Sequence, residues 1–298
     1  MSTKRPNFQI HTEDGETVLV GQRRGSGPAL VVQAPGWGCG GALFEQTLRP
    51  LAAHFTVITY DPRGSGSSTR DVEANTIQIE QQARDLQHLC DTLELRRVYA
   101  LGHSHGSWIL LRAALEKPDT FAALVLVGAE IDHLPGFEEA QRTFITQRAH
   151  QSETWRRAAE IMIHHLQTGF NDIDSDAAMT RWFNDVMPLY AACPERLRNA
   201  FKETTLPPFA ARTFVASAFS NANYPVSARL HTLQTPTLIV TGNEDFSGLI
   251  QLSDALESRL PTASRLRLPQ AGHFPWLEQS EPFFQGVHAF LTSQRSKA

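Results

Sequence analysis

Short, nearly continuous apolar runs alternate with amphipathic stretches along most of this chain, and no other feature limits its fold as strongly. The runs are Phe8–Ile10, Val18–Val20, Ala29–Val32, Phe55–Tyr60, Val98–Leu101, Ala122–Val127 and Thr237–Val240, with a weaker one at Leu266–Leu268. From Ala29 onward, patterns with apolar residues three and four apart separate them: Leu43–Phe55, Ile77–Leu95 and Trp108–Glu116. Strands that are apolar on both faces need cover on both faces. The pattern therefore predicts an α/β fold: a mostly parallel sheet with helices on either side. The first two runs are joined only by Glu13-Asp14-Gly15, which predicts an antiparallel hairpin at one edge.

The rhythm stops after Val127. From about His133 to Ser227 the pattern is helical and rich in aromatics: Phe144, Trp155, Phe170, Trp182, Phe183, Tyr190, Phe201, Phe209, Phe214, Phe219 and Tyr224. It resumes at Pro236. The expected organisation is a core made of residues 1–132 and 228–298, with a helical lid at 133–227. The lid would cover the carboxyl edge of the sheet, where ligands bind in open α/β folds.

Composition narrows the function classes. Hydrophobic residues make up 41% of the 298, enough for a large core, and a net charge of −4 gives no bulk attraction to nucleic acid or anionic membranes. Met1–Asn7 is polar with no apolar run behind it, and no stretch nears the roughly 18 apolar residues that span a bilayer. Cys39, Cys90 and Cys193 are an odd, scattered set without metal-ligand spacing, so they are read as reduced thiols of a cytoplasmic protein. The expected partner is a small-molecule substrate, with no metal, no cofactor, no nucleic acid and no membrane. A homodimer is compatible with all of this.

The chemistry begins at Val98–Leu111, which reads as strand, tight turn and helix around Gly102-His103-Ser104-His105-Gly106. A serine on such a turn takes a strained backbone and projects into the cleft, and the flanking glycines let chain segments cross closely. The helix that follows favours developing negative charge at its N-terminus. A serine hydroxyl needs a base. Of the twelve histidines, His273 alone follows a strand end downstream, in Gln270-Ala271-Gly272-His273. Asp245 follows the strand Thr237–Val240 and would orient it. Glu130, after Ala122–Val127, is the alternative acid. Glu244 reads as a solvated loop residue or a partner of the acid, His103 and His105 as packed or hydrogen-bonded neighbours, and His164-His165 as exposed.

The elbow Gly102–Gly106, the segment Asp61-Pro62-Arg63-Gly64-Ser65-Gly66-Ser67-Ser68, the Asp245 and His273 segments, and the ending His273-Phe274-Pro275-Trp276-Leu277-Glu278 with Pro282-Phe283-Phe284 together resemble the α/β-hydrolase fold family, and within it the proline-iminopeptidase-like group. The resemblance covers nearly the whole chain. It implies a serine hydrolase using Ser104, Asp245 and His273, with the backbone N–H groups of Trp37 and His105 as the oxyanion hole. One departure bears on substrate. True proline iminopeptidases carry His-Gly-Gly-Pro-Gly after the third strand, where this chain has Gln33-Ala34-Pro35-Gly36-Trp37-Gly38-Cys39-Gly40-Gly41. Glu138, Glu139 and Glu153 remain candidates to bind a free amine. The lid aromatics imply a small hydrophobic or aromatic ester, lactone or amide.

Other readings stay open. Gly36-Trp37-Gly38-Cys39-Gly40-Gly41 fits the dinucleotide fingerprint Gly-x-Gly-x-x-Gly, with Asp61 ending the next strand. Against it, the unit is not the first strand and Trp37 stands where pyrophosphate would approach. His105-Gly106-Ser107-Trp108 is similar to cofactor-free dioxygenases of this fold, in which the acid would be Glu130. Hormone receptors of the same fold bind ligand without turnover.

Overall fold

The computed structural model describes residues 7–35, 38–132, 134–204, 208–218 and 225–295. Eight strands form one sheet: β1 (Phe8–His11), β2 (Val18–Arg24), β3 (Ala29–Gln33), β4 (Thr56–Asp61), β5 (Val98–His103), β6 (Phe121–Val127), β7 (Thr237–Gly242) and β8 (Ala263–Leu268), in the order 1-2-4-3-5-6-7-8. β1 pairs antiparallel with β2, and β2 with β4; every later pairing is parallel. Each strand expected from the sequence is present. The hairpin turns at Gly15 (φ +73°), where Thr12 N–H donates to the Thr17 carbonyl at 2.8 Å. Every residue of β5, β6 and β7 is buried, which is why their sequences are apolar without alternation. β8 lies at the edge and is only partly covered, so it carries Arg265 and Arg267 and gave the weakest sequence signal.

The helices are α1 (Ala42–Thr47), α2 (Ile79–Thr92), α3 (His105–Glu116), α4 (Phe137–Ala149), α5 (Glu153–Thr168), α6 (Asp176–Val186), α7 (Pro194–Lys202), α8 (Ala211–Ala218), α9 (Ser247–Arg259), α10 (Pro275–Glu278) and α11 (Ser280–Arg295). The single helix expected over Leu43–Phe55 is two pieces: α1, then a 3₁₀ turn at Arg49–Ala53. Pro50 is the cause, since it lacks an N–H and its ring clashes with the preceding turn. Helices α4 to α8 fill the stretch between β6 and β7. Asp132 and Ser227 meet where that stretch leaves and rejoins the core: the Ser227 N–H donates to Asp132 Oδ1 at 3.0 Å, and the Ser227 hydroxyl donates to Oδ2. The chain runs from β3 outward to β4 and then returns to place β5 on the other side of β3. This reversal puts the topological switch point, where open α/β sheets bind their ligands, at the carboxyl ends of β3 and β5.

Candidate active site

Ser104 stands between β5 and α3 with φ +53° and ψ −129°, a conformation that L-residues avoid. The flanking glycines permit it. A Cβ on Gly102 would lie 2.7 Å from the Gly106 carbonyl oxygen, and one on Gly106 would lie 2.5 Å from that of Gln33. The Ser104 N–H donates to Val127 O at 2.9 Å, tying the turn to the end of β6. Ser104 is buried, and its Oγ has no hydrogen-bond partner among the described residues.

His273 and Asp245 arrive from loops after β8 and β7. Asp245 Oδ2 and Oδ1 lie 3.0 and 3.1 Å from His273 Nδ1, and both side chains are fully buried. A carboxylate there accepts a hydrogen bond from Nδ1–H, leaving Nε2 as the basic nitrogen. Phe246 N–H donates to Asp245 Oδ1 at 2.7 Å and fixes the acid. Glu130 instead meets the elbow through its main chain, its N–H donating to the Ser104 carbonyl at 3.2 Å. The structure thus brings together Ser104, the end of β6, and the His273–Asp245 pair. His105 opens α3, so its N–H lies at the positive end of that helix. Trp37, the other expected oxyanion donor, lies outside the described residues, as do Gly36, Phe219 and Tyr224.

Of three neighbours of the pair, His103 fits the sequence reading, while Tyr190 and Glu278 escaped it or were read too weakly. His103 is both packed and hydrogen-bonded. Its Nε2–H donates to the His273 carbonyl at 2.9 Å, and the two rings lie 4.6 Å apart. Burial above all, and then the nearby His273 ring, hold its pKa well below the usual imidazole value, so it is neutral. Tyr190 accepts the His273 N–H on its carbonyl at 2.8 Å. Glu278 is buried with one oxygen on each side of a seam: Oε2 accepts from Gly272 N–H at 2.7 Å and Oε1 from Cys193 N–H at 2.8 Å. Burial raises its pKa, against the opposing pull of those amides. For Glu278 the sequence signal was its place in the segment after His273.

Other expected residues fall elsewhere. Glu138 pairs with Arg142 at 3.6 Å, Glu153 pairs with Arg156 and Arg157 at 2.8 Å, and Glu139 is exposed, so all three carboxylates face solvent. Of the two adjacent histidines in α5, His165 is mostly covered, its Nε2 3.2 Å from Asp172, while His164 is exposed. The glycine-rich loop after β3 is used structurally. Asp61 accepts from Gly41 N–H and Ser67 N–H, each at 2.7 Å, and a Cβ at Gly40 would lie 2.5 Å from Asp61 Oδ1. A ribose-binding acid would need those oxygens, so the dinucleotide reading loses its acid. Burial, with nearby Asp61, pushes the Cys39 thiol up to about 12, so it stays protonated. Among the described residues no group of three or more His, Cys, Asp or Glu side chains is placed to hold a metal ion, and no helix is long and apolar enough to cross a membrane.

Comparison with known proteins agrees with this architecture. The chain is 29% identical over 270 residues to polyketide synthase ThaQ of Burkholderia thailandensis, covering 90% of this chain but only 12% of ThaQ. It is 24% identical over 271 residues to RutD of Pseudomonas syringae pv. syringae, described as a carbamate hydrolase, covering 90% of this chain and 95% of that one. Among solved structures, the esterase RhEst1 from Rhodococcus sp. ECU1013 superposes with a TM-score of 0.72 at 21% identity, covering 96% of this chain and 98% of that one. A thermophilic esterase from Thermogutta terrifontis superposes with a TM-score of 0.70 at 22% identity and the same coverage. At such identities the likeness is one of fold. The model of the alpha/beta hydrolase fold family matches residues 29–280, and the chain belongs to that family.

Proposed function

We propose that the protein is a serine hydrolase that cleaves small, mainly hydrophobic or aromatic esters, lactones or amides through an acyl-enzyme. The observation that carries this is Ser104, held in a strained conformation at the carboxyl end of β5 while the buried His273–Asp245 pair packs against the adjoining end of β6. Ser104 Oγ attacks the substrate carbonyl and His273 Nε2 takes its proton; Asp245 stabilises the imidazolium. The negative charge forms on the former carbonyl oxygen, next to the N–H of His105 and, by family likeness, that of Trp37. The leaving group departs with the proton from His273. Water then repeats the sequence, releasing the acid and restoring Ser104. A carbamate, the bond class in the description of the RutD relatives, presents the same acyl carbon.

We assign the cap role to residues 133–227. The Phe183 ring contacts those of Tyr190, Phe201 and Phe209 at 4.6–6.2 Å, and Tyr190 extends the cluster onto His273 at 5.5 Å. Apolar surface buried there contributes roughly 25 cal/mol per Å². A proline-iminopeptidase activity has less support. The motif after β3 differs, and the three carboxylates considered as amine ligands face solvent.

The test is fluorophosphonate labelling of wild type and Ser104→Ala, followed by a p-nitrophenyl ester chain-length series against prolyl-naphthylamide, in air and anaerobically. We expect labelling of wild type alone. kcat/KM should rise with acyl size by up to ~0.8 kcal/mol per methylene until the pocket is full. An unlabelled wild type overturns the reading. Efficient prolyl-amide cleavage reinstates the aminopeptidase, and oxygen consumption matching turnover reinstates the dioxygenase.

A further inference from the structure

Arg148, near the end of α4, is only 5% exposed although nothing in the proposed chemistry uses it. Its guanidinium reaches out of the inserted helices to the loop that carries the acid. Nη2 donates at 3.0 Å to the Glu244 main-chain carbonyl and at 3.0 Å to Glu244 Oε2, and Nη1 donates to Gln151 Oε1 at 3.3 Å. The planar group is also stacked, 5.1 Å from the Phe144 ring and 4.8 Å from the Trp155 ring. Those two rings lead onward. Phe144 packs on Phe246 at 4.8 Å, and the Phe246 N–H holds Asp245 Oδ1. Trp155 Nε1–H donates to Pro188 O at 2.8 Å, two residues before the Tyr190 carbonyl that holds the His273 backbone.

We propose that Arg148 is a positioning residue: it grips Glu244 from the cap side and buttresses Phe246, setting the carboxylate of Asp245 between them against His273. This rests on the serine-hydrolase reading above. A buried cation is retained where its donors are satisfied, and here the clamp needs a flat, multi-donor group that also stacks. Lysine offers a point charge and cannot fill the same place. The arrangement ties the seating of helix α4 to the alignment of the acid, so an ill-seated cap costs proton transfer rather than substrate affinity.

The experiment uses the full chain with Arg148→Lys, Arg148→Met and Arg148→Ala, and Arg142→Met as an exposed control on the same helix. Displacing an aligned catalytic group by about an ångström costs up to ~100-fold. We expect kcat to fall roughly 10- to 100-fold in Arg148→Met with KM nearly unchanged. The acid limb of the kcat/KM profile should move to lower pH as the imidazolium loses its partner. Added guanidinium ion should restore part of kcat in Arg148→Ala, and Arg142→Met should match wild type. Should Arg148→Met not fold, Arg148→Lys keeps the charge and is read the same way. The low-field proton signal of the His273–Asp245 hydrogen bond should weaken in both, a readout that needs no turnover. Unchanged kcat, unchanged acid limb and an unchanged low-field signal in a folded Arg148→Lys overturn the positioning role alone. A wild type that takes no fluorophosphonate overturns the hydrolase reading instead, while the proton signal still tests the clamp.

Discussion

Gly128 lies directly against the imidazole of His273: a Cβ built there would be 2.9 Å from Nδ1 and 3.2 Å from Asp245 Oδ2. The residue also has φ +51°. It is the first residue past β6, so the strand end that receives the Ser104 N–H also leaves the room in which Asp245 and His273 meet.

Gly128→Ala should therefore disable the site without altering any residue that performs chemistry. The methyl must displace His273 or Asp245, and the backbone is strained for alanine. Ester hydrolysis should fall by about 100-fold or more, and urea denaturation should show a loss of roughly 1–3 kcal/mol. Wild-type turnover in a folded Gly128→Ala protein would contradict the placement of the pair.

Ser104→Gly should abolish turnover while raising stability. Glycine tolerates a positive φ, and relieving a strained residue of this kind returns roughly 1–3 kcal/mol, offset in part by the greater freedom of glycine in the unfolded chain. A gain of ~1 kcal/mol would raise Tm by roughly 2 °C. Ser104→Ala, still strained, should lose activity without that gain. Thermal melts of the two variants side by side decide it.

Asp245→Asn should lower kcat by about 10³- to 10⁴-fold, because the amide no longer holds the proton on His273 Nδ1. Glu130→Gln keeps the backbone contact to Ser104 and should change kcat only slightly. The reverse ranking in steady-state kinetics would transfer the acid role to Glu130.

Acid should weaken the fold through His103. Its folded pKa lies well below the free value of about 6.5, lowered first by burial and then by His273. Below that free value the unfolded chain binds a proton that the folded one refuses. The contribution is therefore whole above about pH 6.5 and declines as pH drops toward the folded pKa. His103→Gln, which keeps a donor for the His273 carbonyl, should flatten the fall in urea midpoint between neutral and mildly acidic pH. An equal slope in both proteins would show that His103 is not the group responsible.

The strands were legible because burial on both faces leaves a continuous apolar run, and β5, β6 and β7 are the clearest instances. The interruption at Pro50 was written in the sequence too, but the apolar period on either side masked it. The positions of Ser104, Asp245 and His273 in the fold were readable because each follows a strand end. Their supports were not. Glu278 acts on Cys193 across 85 positions, Arg148 on Glu244 across 96, and Tyr190 through a carbonyl that any residue possesses. Glu244 read as a solvated acid or a partner of the acid because its own side chain is half exposed, while its carbonyl anchors Arg148. Local pattern reports burial and turn geometry; contacts this distant leave no period to detect.

The Asp132–Ser227 clasp places the long helical excursion between Ser104 and its proposed acid and base, Asp245 and His273. During synthesis Ser104 emerges with β3 to β6, well before Asp245 and His273. Joining the two halves means closing a loop of about a hundred residues, an entropic cost on the order of 4 kcal/mol. Under the proposed mechanism, the nascent polypeptide carries a disarmed Ser104 hydroxyl until that circuit closes. On the proposed mechanism, reactivity is a late checkpoint of assembly, reached only when the excursion has folded back and brought the final strands home.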